Sequence, residues 1–276
     1  MDIYSAGEKC YSMGNRFNRN LQPEDKQMRF QNKTVVISGG ASGMGLLCGQ
    51  CYAKEGANVV LTDVNSDALN AAVESIRSEG GTAMGVVTDV RVYAQTEAAC
   101  NAAVQAYGSL DILVNCAGMQ KRMDSVDFSR EDWDAVVALN LNAVFFLSQL
   151  AAREMEKQHK GKIINIASML SYLGGYRVPA YTATKTAVMG LTRALTNEWI
   201  AKGINVNAIA PGYIATDMNR PLMEDSVRNQ EILSRIPAGG WGDPEAFKAV
   251  VVFLASEASD YISGVTLPVD GGFLCR

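Results

Sequence analysis

From Thr34 onward, short runs of β-branched and other apolar residues alternate with longer stretches of helical pattern. This alternation restricts the fold more than any other feature of the sequence. Runs such as Thr34–Ser38 (TVVIS) and Ile112–Asn115 (ILVN) are almost continuously apolar, which is typical of parallel strands covered by helices on both faces. Strand followed by helix, repeated along the chain, implies right-handed crossover connections. We therefore predict an α/β fold with a single Rossmann-type doubly wound parallel sheet of about seven strands flanked by helices.

The alternation also places the individual elements. Residues 1–30 are polar and predict an N-terminal arm, and residues 31–276 predict one domain. Residues 213–243 are too long for an ordinary connection, so we predict a binding loop or lid with a short helix of its own. The predicted strands are Thr34–Ser38, Asn58–Thr62, Ala83–Val87, Ile112–Asn115, Lys162–Ala167, Asn205–Ile209 and Thr266–Val269. The predicted helices are Met44–Glu55, Asp67–Ser78, Ala94–Tyr107, Arg130–Gln158, Ala180–Lys202 and Pro244–Ala255.

Charge and composition exclude several classes of function. With 25 Lys+Arg against 29 Asp+Glu, the chain lacks the positive surface that nucleic-acid binding requires. Its single histidine, His159, excludes most zinc sites, and we expect no metal. The apolar stretch Ala135–Ala152 is interrupted by polar residues and no apolar leader opens the sequence, so we expect no membrane segment. We predict a cytoplasmic protein with reduced thiols, in which Cys48 and Cys51 lie on a buried helix face.

A glycine-rich loop lies where the first predicted strand meets the first predicted helix. Its sequence is Ser38-Gly39-Gly40-Ala41-Ser42-Gly43-Met44-Gly45. Glycines at this junction let the backbone turn tightly and approach a pyrophosphate, which then lies at the helix N-terminus. The loop therefore predicts a dinucleotide site, with contacts expected from Gly39, Ser42, Gly43, Met44 and Gly45.

An acidic residue, Asp63, ends the second strand. Its carboxylate can accept hydrogen bonds from the adenosine ribose, and its charge repels a 2′-phosphate. Neither Arg nor Lys occupies Ala41, Ser42, Val64 or Asn65, where a phosphate-binding base would be expected. The pattern favours NAD over NADP as the cofactor. A helix-capping or loop acid is the alternative interpretation of Asp63.

Further motifs follow the glycine loop in a fixed order. Together with Gly39-x-x-x-Gly43-x-Gly45 they resemble the motifs of the short-chain dehydrogenase/reductase family over about residues 30–276, with Ser38 and Cys116 replacing the family's usual Thr and Asn. In chain order they are Asn115-Cys116-Ala117-Gly118, Asn140, Ser168, Tyr181-x-x-x-Lys185, Pro211-Gly212, Thr216 and Val269-Asp270-Gly271-Gly272.

This resemblance implies an NAD(H)-dependent oxidoreductase that interconverts a secondary alcohol and a ketone. Residues 31–276 would then form a dinucleotide-binding catalytic domain, with the substrate loop at about 213–243. The further cofactor contacts that the resemblance implies are Asp89, Val90, Asn115, Ala117, Gly118, Tyr181, Lys185, Pro211, Gly212, Ile214 and Thr216.

Four residues are candidates for catalysis. The phenol of Tyr181 has an ordinary pKa of about 10, and the ammonium of Lys185, one helical turn later, favours its phenolate. Ser168 is suited to hydrogen-bond the substrate oxygen beside Tyr181. By the resemblance, Asn140 holds a water that connects Lys185 to solvent. Taken singly, each of these residues also has an interpretation as a helix-face, capping or packing residue.

The substrate is less closely defined. Residues 161–190 and 207–213 resemble the bacterial sugar-acid dehydrogenases of the 2-deoxygluconate 3-dehydrogenase and gluconate 5-dehydrogenase branch. A carboxylate is best held by guanidinium groups, so Arg122 and Arg177 join Ser168 and Tyr181 as candidate substrate contacts, although both arginines also fit exposed loops. Two alternatives remain: a hydroxysteroid dehydrogenase with an apolar pocket, and a dinucleotide-binding scaffold without turnover.

Two predicted helices, Arg130–Gln158 and Ala180–Lys202, carry more apolar residues than one face of a sheet requires. A larger internal core is one explanation. The family resemblance favours the other, in which these helices pack against their symmetry mates in a homotetramer. The polar arm would then wrap a neighbouring subunit.

Overall fold

Seven parallel strands form one doubly wound sheet, as the sequence predicts, and their order is β3-β2-β1-β4-β5-β6-β7. The computed structural model describes residues 28–276, so the predicted arm lies almost entirely outside the described residues. The predicted strand bounds are confirmed to within two residues at each end. The strands are β1 (Thr34–Ser38), β2 (Asn58–Asp63), β3 (Thr82–Val87), β4 (Ile112–Asn115), β5 (Gly161–Ile166), β6 (Ile204–Pro211) and β7 (Thr266–Val269).

Helices cover both faces of this sheet, and alternate residues of each strand enter two separate cores. Val35 and Ile37 pack into the core on one face, whereas Val36 between them packs into the core on the other face. This explains why β1 is buried along its whole length. The helices are α1 (Gly43–Lys54), α2 (Ser66–Ser78), α3 (Tyr93–Tyr107), α4 (Arg130–Val137), α5 (Ala143–Lys157), α6 (Pro179–Trp199), α7 (Arg220–Glu224), α8 (Ser226–Arg235) and α9 (Ala246–Ala255).

The first core lies beneath α1, α2 and α9, and it contains Cys48 and Cys51 as buried free thiols, as predicted. Phe30 also enters this core and packs edge-on against Tyr52, with 5.3 Å between the ring centroids. The second core lies beneath α3, α5 and α6. Residues from Phe30 onward therefore belong to the packed structure.

A π-helical turn, Ala138–Asn142, divides the predicted helix Arg130–Gln158 into α4 and α5. The whole segment Arg130–Lys157 has the length and apolar composition of a membrane-crossing helix, but half of its most apolar window is buried inside the protein. Most of the apolar residues of α5, among them Leu147, Leu150 and Met155, face the second core. The π turn contains the fully buried Asn140, so the irregular backbone coincides with a predicted functional residue.

A buried amide network ties the centre of the sheet to the helices over it. The amide of Asn115 donates to Ser148 Oγ on α5 at 2.9 Å and to Asn165 Oδ1 on β5 at 2.8 Å. The amide of Asn165 in turn donates to Thr192 Oγ1 on α6 at 3.0 Å. The side chain of Asn115 is thus engaged inside the protein, which leaves its backbone for any contact with a cofactor.

The predicted lid, residues 213–243, folds as two short helices, α7 and α8, rather than one. Leu222, Ile232 and Ile236 from this segment form a small apolar cluster with Met169 and Phe273. The lid is therefore fixed over the carboxyl end of the sheet by its own small core.

Candidate active site

The glycine loop joins β1 to α1 and leaves the start of that helix open. Gly39 has a φ of +67°, and a Cβ there would lie 2.9 Å from the Cα of Ala117, so this position requires glycine. A Cβ on Gly45 would overlap the carbonyl oxygen of Gly39. Ser42 caps α1 without a side-chain hydrogen bond, and the first turn contains no acidic residue. The open, positively polarised helix end therefore fits a dinucleotide diphosphate.

The cavity beside this loop has a volume of about 330 Å³, and six of the predicted cofactor residues line it. Asp63 Oδ2 accepts a hydrogen bond from the backbone amide of Ala41 at 3.3 Å, and Oδ1 accepts one from Asn65 N at 3.1 Å. These bonds hold the carboxylate between the glycine loop and the end of β2. The six residues are Gly39, Asp63, Asp89, Val90, Ala117 and Gly118.

Arg91 lines the same cavity, and the sequence analysis missed it. Its guanidinium forms a bidentate ion pair with Asp89, with 2.7 Å between Nη2 and Oδ2 and 2.9 Å between Nε and Oδ1. The hydrogen bond from Arg91 lowers the pKa of Asp89. The sequence analysis looked for a basic residue only at positions 41, 42, 64 and 65. The fold instead brings Arg91 to the cavity from the loop after β3.

Ser168, Tyr181 and Lys185 meet at the carboxyl end of β5. Ser168 follows the strand, which ends at Ile166, and it caps a short 3₁₀ turn by accepting a hydrogen bond from Leu170 N at 3.1 Å. Lys185 Nζ lies 5.7 Å from the ring centroid of Tyr181 and donates to the carbonyl of Ile166 at 2.6 Å. Three of the four side chains predicted for catalysis are thus brought together.

Burial is the main influence on the pKa values of these groups. It raises the pKa of Tyr181, and a hydrogen bond with Ser168 opposes that rise. It lowers the pKa of Lys185 to about 8, because the buried ammonium loses solvation. Lys185 therefore changes its charge within a pH range where the protein can be studied.

Asn140 holds the loop that follows β4. Its Oδ1 accepts a hydrogen bond from Met119 N at 2.9 Å, and its Nδ2 donates to Met119 O at 2.8 Å. A Cβ on the neighbouring Gly118 would lie 3.5 Å from Asn140 Oδ1 and 3.7 Å from Lys185 Nζ. Asn140 thus lies beside Lys185. Both the oxygen and the nitrogen of its side-chain amide position the backbone of this loop.

A second cavity, of about 340 Å³, opens over Ser168 and Tyr181. Among the described residues that line it, three are arginines and none is Asp or Glu. Arg122 is one of them, as predicted. Arg177 is not: it has a φ of +62° and pairs with Asp124 at 2.9 Å. The cofactor residues Met44, Pro211, Gly212, Ile214 and Thr216 also line this cavity.

The other two arginines, Arg228 and Arg235, come from the lid, and the sequence analysis missed them. Both belong to α8, seven residues apart, so they lie on the same side of that helix. The sequence signal that could have found them was the seven-residue spacing of two arginines within the predicted lid. Between this cavity and the first lies the start of α1, where Gly43 and Thr216 line a further open pocket.

Comparison with known proteins agrees with this geometry. The family model described as enoyl-(acyl carrier protein) reductase matches residues 39–274. The 2-dehydro-3-deoxy-D-gluconate 5-dehydrogenase of Dickeya dadantii (strain 3937) is 47% identical over 247 residues, which are 89% of this chain and 97% of that protein. The gluconate 5-dehydrogenase of Gluconobacter oxydans (strain 621H) is 39% identical over 238 residues, covering 86% and 93%.

A solved structure shows the same fold. The gluconate 5-dehydrogenase from Burkholderia cenocepacia J2315, in complex with NADP and tartrate, superposes with a TM-score of 0.87 at 38% identity, covering 91% of this chain and 98% of that one. The fold, the dinucleotide loop and the Ser-Tyr-Lys arrangement define an oxidoreductase that uses a nicotinamide dinucleotide. The chain belongs to the short-chain dehydrogenase/reductase family.

The shifted pKa of Lys185 makes a prediction about stability. Lysine has a pKa of about 10.5 in the unfolded chain and about 8 in the fold, so the unfolded state binds more protons between these values. The free energy of unfolding of the wild type should therefore rise, relative to Lys185→Met, as the pH increases from about 8 to about 10.5. The gain should reach about 3 kcal/mol and disappear as the pH falls through 8.

Urea unfolding of the two proteins at fixed concentration across this pH range measures the difference. Lys202→Met, at an exposed lysine in the same chain, is the matched control and should give parallel curves. A pH-independent difference between wild type and Lys185→Met would contradict the lowered pKa.

Proposed function

We propose that this protein interconverts a secondary alcohol and a ketone in a sugar acid, with a nicotinamide dinucleotide as cofactor. The observation that carries the proposal is the cavity over Ser168 and Tyr181, which is lined by three arginines and, among the described residues, by no carboxylate. Such a lining favours an anionic substrate held by guanidinium groups. The names of the relatives, which are dehydrogenases of gluconate and its keto derivatives, support the same substrate class.

Each catalytic residue has a distinct task. When bound, the nicotinamide dinucleotide supplies or accepts the hydride. Tyr181 donates a proton to the carbonyl oxygen during reduction and, as phenolate, accepts the hydroxyl proton during oxidation. Ser168 hydrogen-bonds the same oxygen and orients it toward Tyr181. The ammonium of Lys185 stabilises the phenolate, and Asn140 fixes the loop beside it.

The arginines argue against the two alternatives. A steroid or bile-acid nucleus requires a mainly apolar pocket, whereas this cavity would place that nucleus against three guanidinium groups. A scaffold that only binds the dinucleotide has no need of Ser168, Tyr181 and Lys185 beneath a second, open cavity. Turnover of a sugar acid therefore accounts for both cavities.

Tyr181→Phe tests the assignment of the proton donor. Because only the phenolic oxygen is lost, turnover of a gluconate-type acid should fall by about 10²-fold or more. Dinucleotide affinity, measured by fluorescence titration, should change less than about threefold. Tyr172→Phe, at an exposed tyrosine whose hydroxyl bonds only to the carbonyl of Thr266, is the control and should retain activity. A Tyr181→Phe variant with more than about a tenth of wild-type turnover would remove Tyr181 from this role.

We further propose NAD(H) as the preferred cofactor. Asp63 faces the cavity where the adenosine ribose would lie, and Arg91, the basic residue identified there, is already paired with Asp89. The structural relative from Burkholderia cenocepacia carries NADP, so its site and this one are proposed to differ in selectivity.

The ratio of kcat/KM for NAD and NADP measures this preference. We expect at least about tenfold in favour of NAD in the wild type, because a 2′-phosphate would meet the Asp63 carboxylate without a free base. Asp63→Ala should weaken NAD binding and reduce the ratio. Asp67→Ala, in the first turn of α2, is a nearby exposed control. Equal kcat/KM values in the wild type would overturn the preference.

We also propose a cytoplasmic homotetramer. Trp133 on α4, Phe146 on α5 and Ile200 after α6 are 40–42% exposed. The helices α4 and α5 and the end of α6 therefore present apolar surface outside the two cores. Light scattering coupled to size exclusion should give four times the chain mass of 29.7 kDa. Phe146→Glu should lower the assembly state, whereas Val126→Glu, at a fully exposed loop residue, should not. A wild-type monomer at micromolar concentration would contradict the proposal.

A further inference from the structure

The three cavity arginines have different surroundings. Burial lowers the pKa of the Arg122 guanidinium, Tyr213 opposes this shift, and the nearby cations Arg228 and Arg177 add to it. Arg235 lies elsewhere, over the face of Phe273, at 4.4 Å from the ring centroid. The ring of Phe273 packs against that of Tyr213, with 5.3 Å between centroids. We call these two cationic positions, Arg122 with Arg228 and Arg235 over Phe273, the two ends of the cavity.

The helix α8 carries one arginine at each of these two ends. Arg228 and Arg235 are seven residues apart on it, which corresponds to roughly 10 Å along the helix axis. Arg228 lies 5.8 Å from the ring centroid of Tyr176, at the end of the cavity nearer Arg122. The two guanidinium groups pack against different rings, Tyr176 and Phe273, so they offer separate positions for anionic groups.

The charges at the two ends are not balanced by the protein. Arg228 has an acidic partner, Glu231, on its own helix. Within residues 28–276, neither Arg122 nor Arg235 has a carboxylate within ion-pair distance. The chain as a whole is acidic, with a net charge of −4, so two unpaired arginines lining one cavity depart from its general pattern. A substrate with a single carboxylate would neutralise only one of the two ends.

We propose that the cavity accepts substrates with an anionic group at each end, namely six-carbon polyhydroxy dicarboxylates, with one carboxylate at Arg122 and the second at Arg235. The proposal rests on the proposed sugar-acid function and extends it to a substrate class with two charges. Ser168 and Tyr181 line the same cavity as both arginines, so with both terminal carboxylates bound the reacting hydroxyl would be an internal one. Its oxidation releases a hydride to the nicotinamide and a proton to Tyr181, and both carboxylates are unchanged.

A matched pair of acids tests this directly. D-glucarate and D-gluconate share their hydroxyl configuration and differ at C6, which is a carboxylate in the first and a primary alcohol in the second. Calorimetric titration of each acid into the Tyr181→Phe variant saturated with NAD measures binding without turnover. We expect D-glucarate to bind at least about tenfold more tightly at low salt, with the advantage decreasing as ionic strength rises. Equal affinities would overturn the proposal.

Arg235 variants then locate the second anionic site. In the same background, Arg235→Gln should remove the advantage of D-glucarate while changing the affinity for D-gluconate less than about twofold. Arg235→Lys keeps the charge and should retain part of the advantage. Arg193→Gln, at an exposed arginine on α6 that does not line the cavity, is the control and should behave as the parent. Equal weakening of both acids by Arg235→Gln would show that Arg235 only supports the fold of the lid.

Turnover by the wild type separates failure of this inference from failure of the proposed function. If D-gluconate is oxidised and D-glucarate does not bind more tightly than D-gluconate, the sugar-acid function stands and the second anionic site does not. If neither acid is oxidised and neither binds, both proposals fail. If D-glucarate binds preferentially and Arg235→Gln removes that preference, the second site stands whichever hydroxyl reacts.

Discussion

The hydroxyl of Ser38 joins the two halves of the sheet at the place where the order of its strands reverses. It accepts hydrogen bonds from the backbone amides of Cys116 and Ala117, at 3.1 and 3.2 Å. β1 and β4 are neighbours in space although two strands, β2 and β3, lie between them in sequence, so their following loops part and leave a crevice. The glycine loop forms one wall of this crevice and the Ala117 loop the other. Both cavities depend on that separation, since each is lined by residues that follow the carboxyl ends of the strands.

Burial and charge oppose each other throughout the catalytic centre. The sheet and its helices bury Lys185, and the carbonyl of Ile166 accepts a hydrogen bond from its amine in place of water. The same burial lowers the pKa of this amine and raises that of Tyr181. Burial therefore favours the uncharged form of each group relative to the same group in water, and anionic character at Tyr181 has to be supported by a nearby positive charge. This makes the protonation of the pair sensitive to what occupies the cleft.

The elements of the sheet were predictable because burial on both faces requires continuous apolar runs. β1, β4 and β7 have the bounds that their sequences indicate. The π turn within Arg130–Gln158 was not predictable, because an extra residue per turn leaves the apolar pattern nearly unchanged. Ser168, Tyr181 and Lys185 were recognisable because the family motif fixes their spacing. Arg91, Arg228 and Arg235 were not, since only the tertiary structure brings the loop after β3 and the lid to the cavities.

The late position of Phe273 in the chain affects the order in which the parts of the site are completed during synthesis. Its ring forms part of the substrate cavity and supports Arg235, whereas the glycine loop on the opposite wall begins at residue 39. During synthesis on the ribosome, β1, β2 and the dinucleotide crevice have all their residues long before Phe273 leaves the exit tunnel. The substrate cavity is therefore the last part of the site to be completed, because the predicted cofactor contacts end at Thr216 and Phe273 follows them in the chain.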